Sequence, residues 1–417
     1  MRREVVITGV GLVTPLGTST VETWRALCQM KNGIKEISGF DASAFPVRFA
    51  AECPDIDPIG QEYLSPKARM ILRTKKGRLA YAAALEAWYM ATIDDDTASE
   101  WRKTGRVGVC LGSEAARPNL ARVAQQIREQ ILPSKGEIEL MSPRAPADLV
   151  ADMFGVTGPV SVISTACTSS SQAVGEGVLR IRRGEVDAMI VGGVDVLVDP
   201  IMVTGFSRLG ALSTRNDAPD KASRPFDKDR DGFVLGEGAG MLILEAEETA
   251  LKRGAVILGR LSGFGCSCNA YRITDSPPDG RGAAQSMIDA LRDANLKPSD
   301  IGYINAHGTS TPMNDPSETQ VIYKAFGDYA LKVPVSSTKS MMGHLVAACG
   351  AVEVIVALMA IRDRRLPPTR NLEEVDPECE LNHIRDGVLQ KEIQHAMSNA
   401  FGFGGSNGTV VVSRWKS

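Results

Sequence analysis

An internal repeat of strand and helix signals constrains this 417-residue chain more than any other feature. Ala284, Met287, Ile288 and Leu291 recur at i, i+3, i+4 and i+7, the spacing of a helix with one apolar stripe. Lys297-Pro298-Ser299-Asp300 ends that pattern, and residues 301–305 then read as a short buried strand. The first half runs the same way earlier. A helical stretch over 79–90 passes through Asp94-Asp95-Asp96 to a strand over 107–111. Residues 160–164 read as a strand entering a helix that ends near Arg183-Gly184; 333–337 read as a strand leading to a long helix over about 344–361. Glycine-rich turns over 231–240 and 398–407 each precede an apolar strand, at 241–244 and 409–412. Two similar halves, 1–251 and 252–417, joined near 248–256, are the expected organisation. Because strands alternate with helices, the expected class is α/β with largely parallel sheets. A pseudo-twofold between the halves would set the helix starts at Cys167 and His344 facing one centre.

Composition narrows the function classes. Lys plus Arg total 47 against 50 acids, a net charge of −3, which argues against a general binder of nucleic acid or membrane surfaces. No apolar run reaches the roughly 18 residues a membrane span needs. Met1-Arg2-Arg3 imitates the start of a signal peptide, but Glu4, Gly9, Gly11, Pro15 and Gly17 make a poor apolar helix, and a strand over 5–8 is the better reading. Eight cysteines are too sparse for a disulfide scaffold, so reduced thiols and a cytoplasmic setting are expected. Cys266-Ser267-Cys268 is the single close pair, with no histidine or acidic cluster beside it, and no metal site is expected.

Chemistry concentrates in a few short segments. Ser164-Thr165-Ala166-Cys167-Thr168 places a cysteine where a strand turns into a helix, and the free N–H groups there favour thiolate. A buried structural cysteine is the competing reading. His307 follows the 301–305 strand in a loop of small hydroxyl residues, at the strand end where ligands bind in open α/β sheets. His344 closes Lys339-Ser-Met-Met-Gly-His344; each of these histidines reads equally as a packed residue or a site residue, and Lys339 alone as a surface lysine. Gly402-Phe403-Gly404-Gly405 can bring backbone N–H groups against an oxyanion. There is no Walker loop and no GxSxG elbow, and Gly9-Val-Gly11 lacks the third glycine of a dinucleotide fingerprint.

Taken together, the chain resembles the β-ketoacyl-acyl-carrier-protein synthases of the synthase II type and their polyketide ketosynthase relatives, over nearly its full length. The resemblance rests on Val5-Val-Ile-Thr-Gly-Val-Gly-Leu-Val-Thr-Pro15, Thr165-Ala-Cys167, Ala211-Leu-Ser-Thr-Arg-Asn-Asp217, Ser223-Arg-Pro-Phe-Asp-Lys-Asp-Arg-Asp-Gly232, the His307 and Lys339–His344 segments, and the 401–407 loop. It implies a thiolase-like, five-layered αβαβα fold, a homodimer and a decarboxylating Claisen condensation. By that analogy Cys167 takes an acyl chain from an acyl carrier protein, and His307 and His344 promote decarboxylation of malonyl-carrier protein and hold the enolate oxygen. The backbone N–H groups of Cys167 and Phe403 match the hole for the acyl oxygen. Phe403, with Phe401 in the same loop, matches the gatekeeper; Thr309 and Thr311 match positions on the phosphopantetheine arm. Lys339 would be a fixed positive charge with Glu318 as its partner. No metal or soluble redox cofactor is needed, since the substrates ride on the carrier's phosphopantetheine.

The chain departs from the family pattern over 113–145. Glu114-Ala115-Ala116-Arg117 stands where the family has a glycine-rich turn with a bulky pocket residue, and Ala115 would permit a longer or branched acyl chain. Carrier docking needs basic surface. The run Lys67, Arg69, Arg73, Lys75, Lys76 and Arg78 is the candidate, with Arg208 substituting for a docking arginine whose position falls on Gly210. A solvated face is the competing reading of such a run. A ketosynthase working with a partner subunit, for a specialised lipid or secondary metabolite, and a non-elongating chain-length partner are the alternatives. The latter usually lacks the nucleophile present here.

Overall fold

The computed structural model describes residues 2–58, 61–274 and 276–416. Eleven strands among them share one sheet: β1 (Val5–Val13), β2 (Val107–Gly112), β3 (Val160–Ile163), β4 (Ala188–Asp195), β5 (Gly238–Ala246), β6 (Gly259–Cys268), β7 (Ile301–Asn305), β8 (Pro334–Ser336), β9 (Asn382–His383), β10 (His395–Phe401) and β11 (Ser406–Ser413). Their spatial order is β9-β8-β7-β10-β11-β6-β1-β5-β4-β2-β3. Apart from the two-residue edge strand β9, this is one arrangement used twice. The series β3-β2-β4-β5-β1 and β8-β7-β10-β11-β6 join at the middle, where Val6 pairs with Arg260 and Ile7 with Gly259. Pairing directions repeat as well. β2 is parallel to β3 and β4, and β7 to β8 and β10. The β4–β5, β5–β1, β10–β11 and β11–β6 pairs are antiparallel.

The sheet is therefore mixed, not largely parallel as alternation suggests. β10 returns directly into β11, and no helix long enough for a crossover covers the sheet between β4 and β5. Five helices matter for the layers: α1 (Lys75–Met90), α2 (Ser169–Arg182), α3 (Arg281–Ala294), α4 (Asn314–Phe326) and α5 (Cys349–Asp363). Helix α1 packs on β1 and β5, while α3 packs on β6 and β11. Between the halves, α2 and α5 touch each other and the inner sheet faces, completing the αβαβα stack. The sequence dictates that placement. Cys349-Gly-Ala-Val-Glu-Val-Ile-Val-Ala-Leu-Met-Ala-Ile361 is apolar on every face apart from Glu353, which only a fully surrounded helix tolerates. No helix among the described residues is long and apolar enough to cross a membrane.

Candidate active site

The chain leaves β3 at Ile163 and makes a tight turn before α2. Ala166 adopts a left-handed conformation (φ +52°), and residues 166–168 form a single 3₁₀ turn carrying Cys167. A non-glycine residue held there costs about 1–3 kcal/mol, so the turn needs anchors. Ala166 N–H donates to Glu114 Oε1 at 3.0 Å, and Thr165 N–H to Ser169 Oγ at 2.9 Å. The second half repeats the turn: Val346 is left-handed (φ +45°), residues 346–348 form the 3₁₀ turn, and α5 starts at Cys349. The counterpart of Cys167 is thus Ala347, not His344. Helix α5 begins five residues after the expected start, and His344 lies upstream in an extended bridge to Leu235.

That offset brings His344 onto the nucleophile. Its Nε2 lies 3.0 Å from Cys167 Sγ, while its Nδ1 accepts the Val346 N–H at 3.3 Å. An accepting Nδ1 leaves the proton of the neutral ring on Nε2, pointing at sulfur. The His307 ring stands 5.3 Å away at 82° to it, and the ligand atoms of Cys167, His307 and His344 all lie within 4.8 Å of one another. Burial, helped by the Lys339 charge, holds both imidazoles well below the ordinary histidine range, so both are neutral. Burial also pushes the Cys167 thiol up to about 12, against the pull of Lys339 and of the Phe403 and Cys167 N–H groups. The resting nucleophile is therefore a thiol; desolvation outweighs the helix-start effect that favours thiolate in the sequence reading.

Two buried carboxylates support the site in different ways. Glu318 on α4 accepts the His307 and Gly308 N–H groups at 2.9 and 2.7 Å, fixing the loop after β7. It does not pair with Lys339 as expected. The Lys339 ammonium bonds Glu353 of α5, and although burial works against its charge, that carboxylate holds it protonated. A lone acid in an otherwise apolar helix was the signal for Glu353. Phe401 packs edge-on against His307 at 5.8 Å, and Phe233 does the same to His344 at 5.3 Å. A pocket opens over Cys167 and both histidines, lined also by Phe403, Thr309 and Thr311, and the two threonine hydroxyls are 2.9 Å apart.

Family models match this chain in two pieces: the beta-ketoacyl synthase N-terminal domain over residues 2–250 and its C-terminal domain over 258–373. The chain belongs to the beta-ketoacyl synthase family. This beta-ketoacyl synthase is 42% identical over 423 residues to the 3-oxoacyl-[acyl-carrier-protein] synthase 2 of Coxiella burnetii, covering 99% of each chain. Among solved structures it resembles a beta-ketoacyl synthase from Burkholderia phymatum, with a TM-score of 0.90 and 34% identity over 100% of both chains. It also resembles the ishigamide ketosynthase/chain length factor, with a TM-score of 0.89 and 30% identity over 100% of both chains.

The basic run of this beta-ketoacyl synthase divides between surface and interior. Lys67, Arg69, Arg73 and Arg208 are exposed, Lys67 beside Asp148 at 2.9 Å. Lys76 is buried and cannot meet a partner: its Nζ bonds Asp195 Oδ1 at 2.9 Å and the Glu114 carbonyl at 2.6 Å. Lys75 likewise turns inward to the buried Glu237. Both are the first residues of α1, and the buried carboxylates of Glu237 and Asp195 draw their ammonium groups inward. The departing segment forms two helices, Leu120–Glu129 and Lys135–Met141, with no buried residue in either, and Ile127 and Leu132 are 72% and 87% exposed.

Proposed function

We propose that this protein is a 3-oxoacyl-[acyl-carrier-protein] synthase that lengthens a Cys167-bound acyl chain by two carbons taken from malonyl-carrier protein. The contact between Cys167 Sγ and the Nε2–H of His344, with neutral His307 alongside, carries this reading. In the first half-reaction the Cys167 sulfur attacks the acyl thioester. The new C–S bond forms, the old one breaks, and the Cys167 proton ends on the departing pantetheine sulfur. The Cys167 and Phe403 N–H groups already point at the sulfur and are placed to hold the oxyanion of the tetrahedral intermediate.

Malonyl-carrier protein then enters, its pantetheine passing Thr309 and Thr311. Loss of carbon dioxide leaves the C–C bonding pair on the α-carbon as an enolate, whose oxygen takes hydrogen bonds from His307 and His344. Neutral imidazoles suit this step because each donates one N–H without surrendering a full proton. The α-carbon attacks the acyl-Cys167 carbonyl, the Cys167 sulfur leaves as thiolate and takes up a proton from solvent to restore the thiol, and a 3-ketoacyl product departs. Decarboxylation supplies the carbanion, so the scheme needs neither metal nor redox cofactor. Burial keeps both imidazoles neutral, and Lys339, tied to Glu353, adds a fixed positive charge that works in the same direction.

The partners in this reading are an acyl carrier protein, docking on Lys67, Arg69, Arg73 and Arg208, and a second copy of the chain, in the cytoplasm. The two halves, 1–251 and 252–417, contribute Cys167 and the histidines respectively. The exposed apolar residues of the 120–141 helices favour one further reading, a ketosynthase acting with a partner subunit. Intact-protein mass spectrometry after incubation with acyl-carrier proteins of graded chain length tests the function. Acyl adducts that vanish in Cys167→Ala are expected; adducts that persist in that variant would overturn the assignment of the nucleophile.

A further inference from the structure

Glu114 opens the segment where the chain departs from the family pattern, and the condensation scheme above gives it no task. Its carboxylate nevertheless reaches the nucleophile turn from across the sheet end. Oε1 accepts the Ala166 N–H at 3.0 Å, and Oε2 accepts the Ser164 hydroxyl at 2.8 Å. Ser169 Oγ lies 3.3 Å from Oε1 and also takes the Thr165 N–H, so one cluster grips three consecutive residues before Cys167. Ala166 is the left-handed residue of that turn, the one whose backbone has most to gain by relaxing.

Glu114 is itself fixed from behind. The buried Lys76 ammonium bonds the Glu114 carbonyl and Asp195 Oδ1, and Asp195 Oδ2 accepts the Ala347 N–H at 3.3 Å. Ala347 is the mate of Cys167 in the second half and lies three residues beyond His344. The chain Ala347–Asp195–Lys76–Glu114–Ala166 therefore ties together the two turns whose separation sets the distance between sulfur and imidazole.

We propose that Glu114 is a positioning residue for the nucleophile: its carboxylate holds the Ala166 turn in the shape that aims Cys167 at His344, with Lys76 and Asp195 fixing Glu114 in register with the second half. The proposal rests on Cys167 being the acylated residue. A second effect accompanies the first. Glu114 is one of the charges opposing thiolate at Cys167, together with burial and against Lys339. The other titratable groups around the sulfur are His307, His344 and Cys349, whose thiol donates to the Cys167 carbonyl at 3.2 Å.

Reach and charge separate cleanly in two substitutions of the full-length protein. Glu114→Asp keeps the charge and loses the reach to Ala166; Glu114→Gln keeps the reach and loses the charge. Condensation kinetics on acyl- and malonyl-carrier protein should show kcat falling about 10- to 100-fold in Glu114→Asp with KM for malonyl-carrier protein within about twofold, and a smaller loss in Glu114→Gln. Iodoacetamide alkylation of Cys167, followed by mass spectrometry across pH, should shift to lower pH in Glu114→Gln and not in Glu114→Asp. Thermal unfolding of each variant checks that it is folded. Unchanged kcat in Glu114→Asp, or a larger loss in Glu114→Gln than in Glu114→Asp, overturns the positioning role. If the wild-type protein condenses no acyl-carrier substrate, it is the functional reading that fails. The alkylation rates at saturating pH then decide the positioning role alone: a rate in Glu114→Asp equal to wild type overturns it.

Discussion

Lys339 and Glu353 face each other with essentially no exposed surface, and that isolation makes the pair costly to break. Removing one partner of a buried pair leaves a charge with no water to receive it, a loss of about 3–5 kcal/mol. Glu353→Gln should accordingly lower the unfolding free energy by about 3 kcal/mol in denaturant titration, and Lys339→Met with Glu353→Met together should cost less than the single change. The histidines yield a pH expectation. Their pKa values are depressed, so acidification through the ordinary imidazole range leaves them neutral and still able to donate. Carbon dioxide release from malonyl-carrier protein should stay flat from about pH 8 to about pH 6; a fall centred near 6.5 would contradict neutral burial. Cys167, His307 and His344 stood out as candidates because each sits in a short segment at a strand end or helix start, whereas Lys339 read alone as a surface lysine and became a candidate only through the family resemblance. Lys75 and Lys76 were misread because a run of charge in a sequence carries no direction, and Glu353 was missed because its partner lies 14 residues away on another helix.

At the scale of elements, the two central strands carry the same spacing of glycines for the same reason. A Cβ on Gly9 or Gly11 of β1 would stand 2.0 Å from the Ala87 or Ala83 carbonyl of α1. On β6, Gly263 and Gly265 meet Ala290 and Ser286 of α3 at 2.2 and 2.0 Å. These contacts are with backbone, so no rotamer change relieves them and the helix itself must move. Gly11→Ala and Gly265→Ala should each cost about 1–3 kcal/mol by denaturant unfolding. Gly205, within the helix Pro200–Arg208 and with open space at its Cβ position, should instead gain up to about 1 kcal/mol as alanine. In the sequence, Gly9 and Gly11 argued against an apolar helix and failed as a nucleotide fingerprint, and the first strand was read as ending at residue 8 when it runs to Val13. Glycine argues against a strand locally, and the helix that demands it lies some seventy residues further on.

The molecule holds the buried His307 and His344 and the half-buried His383 neutral, and this contributes to its response to acid. The unfolded chain binds protons near 6.5, whereas His383 binds only near 4 and His307 and His344 lower than their ordinary range. Between those limits these side chains hold more protons in the unfolded state, so their contribution to stability rises with pH. The drop in melting temperature from about pH 6.5 toward about pH 4 should therefore be steeper in wild type than in His383→Asn, and equal slopes would contradict a depressed His383. Ile127, on the Leu120–Glu129 helix, and Leu132, in the loop after it, are exposed and have no core of their own, which suits them to the second copy proposed above. If that copy seats there, wild type should sediment as a dimer and Ile127→Asp with Leu132→Asp as a monomer. The duplication was legible in broad outline, yet the mate of Cys167 was not, since nothing in the residue string marks a left-handed alanine and a left-handed valine as equivalents. What the two halves share is a bend at 166 and 346, while the next side chain is cysteine in one and alanine in the other. The frame thus presents two equivalent seats at one centre, one occupied by a reactive side chain and the other by a methyl group that leaves room beside it.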